Sequence, residues 1–275
     1  MSSKVAIVTG SNKGVGFGIV RGLCKKFDGD VYLTARNQQR GEAAVELLKK
    51  EGLSPKFHVL DIDNEETIMK IRDFLKEKYG GLDLLVNNAG IAYKGNATEP
   101  FGEQAEVTCK TNVYSTIRAC EILFPILKPK ARVVHLSSLV CLMSFSKSKP
   151  NIQSSFRNAK TIDDVKKLIS DFVEAAKSGN HLEKGWPNTA YGVSKMGVSA
   201  ITHIQQKEFD KDGRHIIVNS CCPGYVDTDM TSHKGVKTID EGAQTPLWLS
   251  LMDENSQVYP RGEFCQEMRI SKWMA

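Results

Sequence analysis

The sequence predicts an α/β fold: a doubly wound parallel sheet with helices on both faces and one inserted helical segment. Three observations lead there. Short β-branched runs alternate with stretches of helical periodicity, and the first run ends on a glycine-rich turn that opens a helix. Between residues 145 and 187 the alternation is broken by a polar stretch and then an amphipathic one.

The strand runs are "KVAIVTG" (4–10), "DVYLTA" (30–35), "FHVLDI" (57–62), "LDLLVNNAG" (82–90), "ARVVHLSS" (131–138) and "RHIIVNSCCPG" (214–224). Their near-continuous apolar character suits strands covered on both faces. Helical periodicity falls on "VGFGIVRGLCKKF" after the glycine turn, and on 64–79 and 103–127. In the inserted segment, "SKSKPNIQSSFRN" (146–158) reads as a polar loop. A helix is predicted over about 161–177, where Ile162, Val165, Leu168, Ile169, Phe172, Val173 and Ala176 recur at steps of three and four. Thr161 with Asp164 makes a capping box, and Gly179 a C-cap. No repeat or low-complexity linker divides the chain, so 1–275 is read as one domain with an insertion at about 145–187.

Composition narrows the function classes. A chain of 275 residues with 41% hydrophobic and 25% charged residues can bury a sizeable core. The net charge of +5 is small, and no dense Lys/Arg stripe points to nucleic acid as a partner. No apolar run approaches a membrane span, so no membrane partner is expected. "MSSKVAIVTG" runs directly into a strand, leaving no room for a signal peptide, and the terminal "KWMA" carries no lipidation or retention signal. Seven cysteines lie at 24, 109, 120, 141, 221, 222 and 265, without CxxC pairs or Cys/His clusters. Neither a metal site nor a disulfide framework is expected, and the reading is a reduced, cytoplasmic chain. The sequon "NAT" at 96–98 is then accidental.

Chemistry-bearing residues gather at the strand ends. In "TGSNKGVG", Gly10, Gly14 and Gly16 let the backbone approach a pyrophosphate, which the following helix N-terminus would hold. NAD-binding units usually place an acid after the second strand, for the ribose 2′-hydroxyl. This chain has "LTARNQQR" instead, with Arg36 and Arg40 and no carboxylate, and Lys13 sits inside the glycine turn. Three cations there fit a 2′-phosphate, so the expected cofactor is NADP(H). Further on, "TAYGVSK" puts Tyr191 and Lys195 one helical turn apart, where the ammonium would lower the pKa of the phenol.

"TGSNKGVG", "NNAG" (87–90), Asn112 in "KTNVYS", Ser138 in "LSS", "YGVSK" (191–195) and "CCPGYVDT" (221–228) together resemble the short-chain dehydrogenase/reductase family. The likeness spans essentially the whole chain, in motif order. The insertion and "KGWPNTAYGVSK" are similar to the monomeric, cytosolic, NADPH-dependent carbonyl-reducing branch of that family. The resemblance implies a Rossmann-type sheet and reduction of ketones, aldehydes and quinones to alcohols. It also implies roles for individual residues. Tyr191 would be the proton donor, Lys195 its tuner and a ribose ligand, Ser138 a donor to the substrate oxygen, and Asn112 the holder of a water. Around the cofactor would stand Gly10, Asn12, Lys13, Gly14, Val15, Gly16, Arg36 and Arg40. Asp61 and Ile62 would meet the adenine, Asn88 and Gly90 would line the cofactor, and Val226 and Thr228 would face the carboxamide. Tyr93, Lys94, Gly95 and Gln104 would rim a glutathione-conjugate site, while Val140, Cys141, Tyr225 and Met230 would select apolar substrates. Two alternatives stand beside this reading. One is a specialised ketone reductase of the same monomeric type, acting on a terpenoid or alkaloid; the other is a non-catalytic NADP(H)-binding regulatory protein.

Overall fold

A computed structural model describes residues 3–253, 256 and 258–274. Six strands fall where the apolar runs predict them: β1 (Val5–Val8), β2 (Asp30–Ala35), β3 (Lys56–Val59), β4 (Leu82–Asn87), β5 (Leu127–Leu136) and β6 (Ile217–Cys222). Two short ones follow, β7 (Phe264–Gln266) and β8 (Arg269–Ile270). The order across the sheet is β3-β2-β1-β4-β5-β6-β7-β8, with all pairs parallel except the last. The winding therefore reverses beside β1, which opens a crevice at the C-terminal ends of β1 and β4.

One face of the sheet is covered by α1 (Gly14–Lys26), α2 (Gln38–Lys50) and α10 (Ile239–Leu251). The other carries α3 (Glu65–Tyr79), α4 (Phe101–Cys109), α5 (Thr116–Leu123) and α9 (Ala190–Phe209). Between α4 and α5 the backbone widens into a π-helical turn, Lys110–Ser115, and a 3₁₀ turn at Phe124–Ile126 leads into β5. The helical stretch expected over 103–127 is thus continuous to Ile126 but widened around Asn112, and β5 begins four residues before the predicted run.

The insertion departs from expectation in one respect. The stretch 146–158 is not a loop: α6 (Val140–Lys147) runs into it, and α7 (Pro150–Asn158) fills most of it. Pro150 takes the first helical position, and Ile152 and Phe156, four apart, are both buried. Two apolar residues on one stripe suffice where a neighbouring core accepts them. That core includes Trp273 of the C-terminal tail, whose ring packs edge-on against Phe145 and Phe156.

The next helix, α8 (Ile162–Lys177), begins on the Thr161/Asp164 capping box and is followed by left-handed Gly179 (φ 72°). Its apolar stripe packs onto α4 and α9. Val165, Ile169, Phe172, Ala175 and Ala176 are buried, and Ile162, Leu168 and Val173 are partly so. Contact is close: a Cβ on Gly197 of α9 would stand 3.1 Å from Ile169 Cδ1. Burial of this stripe contributes about 10 kcal/mol before ordering costs. Because α8 covers its outer side, α9 is buried almost all round, not only along the predicted stripe of Val193, Met196, Gly197, Ala200, Ile201 and Ile204. Among the described residues no helix is long and apolar enough to cross a membrane, and all seven cysteines are free thiols.

Candidate active site

The glycine turn is shaped by contact. Gly10 and Gly14 both adopt φ 59°, which a side chain would strain. A Cβ on Gly16 would lie 2.4 Å from Asn88 Nδ2 and 2.8 Å from Ser11 Cα. At the start of α1, Lys13 makes no side-chain cap and no acid occupies the first turn, so the helix offers uncapped amides and positive potential. The turn is braced from behind. Asn88 Nδ2 donates to the carbonyls of Thr9 (2.9 Å) and Gly10 (3.0 Å), while Thr9 Oγ1 accepts from the Asn88 and Ala89 amides, each at 3.0 Å. The Asn88 amide is thus engaged on the protein side, and sequence reasoning missed Thr9 and the Gly10 carbonyl as its partners. Asn12 and Val15 flank the glycines, partly exposed.

At the end of β2, Arg36 and Arg40 are exposed and take no ion pair among the described residues. Lys13 differs from expectation: its ammonium lies 2.6 Å from Asp229 Oδ2, in the loop after β6. Asp229 also pairs with His233 (3.0 Å), which in turn holds Asp227 (2.7 Å). The Asp227 and Asp229 carboxylates, as acceptors, raise the His233 pKa. Lys13 therefore ties the glycine turn to that loop across a solvated pair. On the same edge, Asp61 is half-buried and Ile62 buried beyond β3. Val226 is also buried, against Gly242, with its carbonyl accepting from Thr231 Oγ1 at 2.7 Å, and partly exposed Thr228 caps the 3₁₀ turn Asp229–Thr231.

Ser138, Tyr191 and Lys195 meet where β5 ends and α9 begins. Thr189 caps α9 on the Gly192 amide at 3.0 Å, fixing the helix start. The Ser138 hydroxyl lies beside the half-buried Tyr191 phenol and accepts from the Val140 amide at 3.2 Å. Lys195 is buried, its Nζ 2.7 Å from the Leu136 carbonyl and 5.5 Å from the Tyr191 ring centroid. Burial is the larger influence on both groups. It pushes the phenol above its ordinary value despite the opposing influence of the Ser138 hydroxyl, and it holds the ammonium down to about 8 against the opposing pull of nearby thiols. The expected depression of Tyr191 by Lys195 is therefore not present in the protein alone. The lysine faces a backbone carbonyl, and desolvation outweighs its distant charge.

Asn112 sits in the π-helical turn. Its Oδ1 accepts from the Ile91 amide (2.8 Å), and its Nδ2 donates to the Ile91 carbonyl (2.9 Å) and to Ser194 Oγ (3.0 Å). Both Nδ2 donors and one acceptor position of Oδ1 are thus engaged by protein groups. Gly90 fills the narrow space between: a Cβ there would be 3.1 Å from Asn112 Oδ1 and 3.6 Å from Lys195 Nζ. Behind this layer His135 is buried and neutral, its pKa pushed down to about 4 by desolvation, between Gln205 (2.8 Å) and Asn87 (3.1 Å).

Most of the expected substrate residues flank the catalytic edge. Tyr225 and Met230 expose large apolar surface after β6, as do Leu139 and Met143 after β5, with Val140 half-buried beside them. Cys141 is wholly buried near Ser199 and cannot line a pocket. Tyr93 and Lys94 line a cavity of about 470 Å³ with Ile91 and Val107. Gly95 and Gln104 are not among its walls, and Gln104 donates to the Glu99 carbonyl instead. Among the described residues no group of His, Cys, Asp or Glu is placed to hold a metal ion.

A phosphate cradle at a winding reversal, a Ser-Tyr-Lys cluster beside it and the order of these motifs along the chain define a comparison. The sequence pattern of the family described as short chain dehydrogenase matches residues 4–150 and 175–238. The chain belongs to the short-chain dehydrogenase family. The gap in that match, 151–174, takes in most of α7 and α8, the inserted helices of this member. Over 275 residues the chain is 49% identical to the NADPH carbonyl reductase 1 of Bos taurus and 48% identical to that of Mus musculus, covering 99% of each chain. Its structure is similar to salutaridine reductase from Papaver somniferum, with a TM-score of 0.85 at 29% identity, covering 95% of this chain and 99% of the other.

Proposed function

We infer that this chain reduces the carbonyl groups of ketones, aldehydes and quinones to alcohols with NADPH. One observation carries the reading: the Tyr191 phenol, beside Ser138 with Lys195 behind it, stands on the same sheet edge as a glycine turn rimmed by exposed Arg36. The similarity to carbonyl reductases along the whole chain supports it. The residues present fit the cofactor. Gly10, Gly14 and Gly16 leave room for a pyrophosphate, uncapped amides of α1 would hold it, and Arg36 would take the 2′-phosphate. When bound, NADPH supplies the hydride.

The chain's own groups do the rest. Tyr191 gives its proton to the substrate oxygen, on which negative charge develops, and Ser138 donates a second hydrogen bond to that oxygen. Lys195, anchored on Leu136, keeps donors free for the ribose and holds positive charge near the phenolate left behind. Apolar Tyr225, Met230, Leu139 and Met143 favour hydrophobic substrates. The Lys94 ammonium at the 470 Å³ cavity supports glutathione conjugates as larger substrates. A specialised alkaloid-type ketone reductase is a second reading, favoured by the likeness to salutaridine reductase. The seven free thiols support a cytosolic location.

We also propose a monomer, since α8 covers the outer faces of α4 and α9 that a partner would use. In sedimentation equilibrium a concentration-independent mass near 30.5 kDa is expected, and a stable dimer overturns the proposal.

Steady-state turnover of an apolar ketone with NADPH and with NADH tests the function, in wild type and in Arg36→Glu. Wild type is expected to prefer NADPH. The variant should lose about 1.5–3 kcal/mol of charge-assisted phosphate binding, hence about 10- to 100-fold of that preference. A wild type that prefers NADH, or turns over neither, contradicts the reading.

A further inference from the structure

We propose that Asp63 is a positioning residue for the reaction, acting through Asn112; the proposal rests on the reductase reading above. Asp63 lies two residues beyond Asp61, in the loop joining β3 to α3. Its carboxylate reaches across to the π-helical turn and grips it at both ends: Oδ2 accepts from Thr111 Oγ1 at 3.0 Å, and Oδ1 from Ser115 Oγ at 2.6 Å. Thr111 and Ser115 are buried, whereas Asp63 is exposed, so the carboxylate closes over a pair of sequestered hydroxyls.

Asn112 lies between those two grips, directly after Thr111. Its side chain leaves on the cleft side, where it pins the Ile91 backbone and Ser194. Ser194 also donates to the Tyr191 carbonyl at 2.8 Å, one residue from Lys195. A chain of direct bonds therefore runs from Asp63, through the turn and Asn112, to the helix start that presents Tyr191 and Lys195. A π-turn holds one more residue than α-helical pairing allows, is rare, and recurs at functional sites. Released by Asp63, the turn would relax toward ordinary pairing and rotate Asn112 away from Ile91 and Ser194. A displacement of about an ångström at reacting groups is enough to cost one to two orders of magnitude in rate. Asp61 Oδ1 accepts from the Asp63 amide at 3.0 Å, so the loop is itself held and does not depend on the turn for its shape.

The test compares Asp63→Ala and Asp63→Asn with wild type by kcat, by KM for NADPH, and by amide hydrogen exchange over 110–115 in the cofactor-free protein. Expected for Asp63→Ala is a fall in kcat on the order of tenfold with KM for NADPH little changed, and faster exchange confined to the turn. Asp63→Asn, which keeps an acceptor, should recover most of both. Ser115→Ala, which removes one donor, should show the same pattern in weaker form, and it stands in for Asp63→Ala if that variant does not fold. Unchanged exchange, or an unchanged kcat, overturns the proposal; so does a KM for NADPH that rises as far as kcat falls, since Asp63 would then serve the cofactor loop. A wild type without carbonyl turnover would overturn the reductase reading instead, while exchange would still report whether Asp63 holds the turn.

Discussion

Tyr191→Phe is expected to lower carbonyl turnover by about 10³-fold, within the range that general acids and oxyanion donors contribute. NADPH binding, followed by fluorescence titration, should be little changed. The ring is retained, the half-buried position tolerates phenylalanine, and only the hydroxyl beside Ser138 is removed. The size of the effect follows from the site's geometry. Of the groups gathered at this edge, Tyr191 alone carries a weak acid next to both an oxygen-binding donor and a cation. Substantial residual turnover would show that another group, or water, supplies the proton.

Lys195→Met should also abolish most turnover, and yet make the protein more stable near neutral pH. Burial lowers the ammonium's pKa from 10.5 to about 8. Between those values the unfolded chain carries a proton that the folded chain has shed, so stability rises with pH across about 8 to 10.5. Below pH 8 the folded state bears the whole burden of the buried charge. Methionine removes that burden and also the hydrogen bond to Leu136, for a net gain on the order of 2 kcal/mol at pH 7. The gain should shrink as pH rises toward 10. Denaturant melts at pH 7 and pH 10 measure it; a loss of stability at pH 7 would mean that the ammonium is not held as a burdened, buried charge.

The fold was legible because its signal is local and repeated. "DVYLTA" became β2 residue for residue, and the Thr161/Asp164 box opened α8 at the predicted position. What escaped were elements whose stability comes from distant partners. α7 is polar along most of its length and folds because Phe156 meets Trp186 and Trp273. β7 and β8 are too short to show periodicity; β7 exists by pairing with β6, and β8 by pairing with β7. At the site the motifs brought the right side chains to one edge, but motif spacing carries no information on which partner each atom takes. Lys13 pairs with Asp229, Asn88 with Thr9 and Gly10, and Asn112 with Ile91 and Ser194. Nor could spacing weigh burial against charge, which is why the Tyr191 phenol is raised where a neighbouring ammonium alone would lower it. Asp63 lay outside every motif, and only the π-turn that it holds makes it visible.

The proposed function requires direct delivery of hydride to a carbonyl carbon at the Tyr191 edge. It is tested most directly by turning over a ketone with NADPH deuterated on the transferring side of nicotinamide C4 and analysing the alcohol by mass spectrometry. The expected product carries one deuterium at the carbinol carbon, in wild type and in the trace formed by Tyr191→Phe. An alcohol without deuterium there, or no alcohol from wild type at all, would contradict the account.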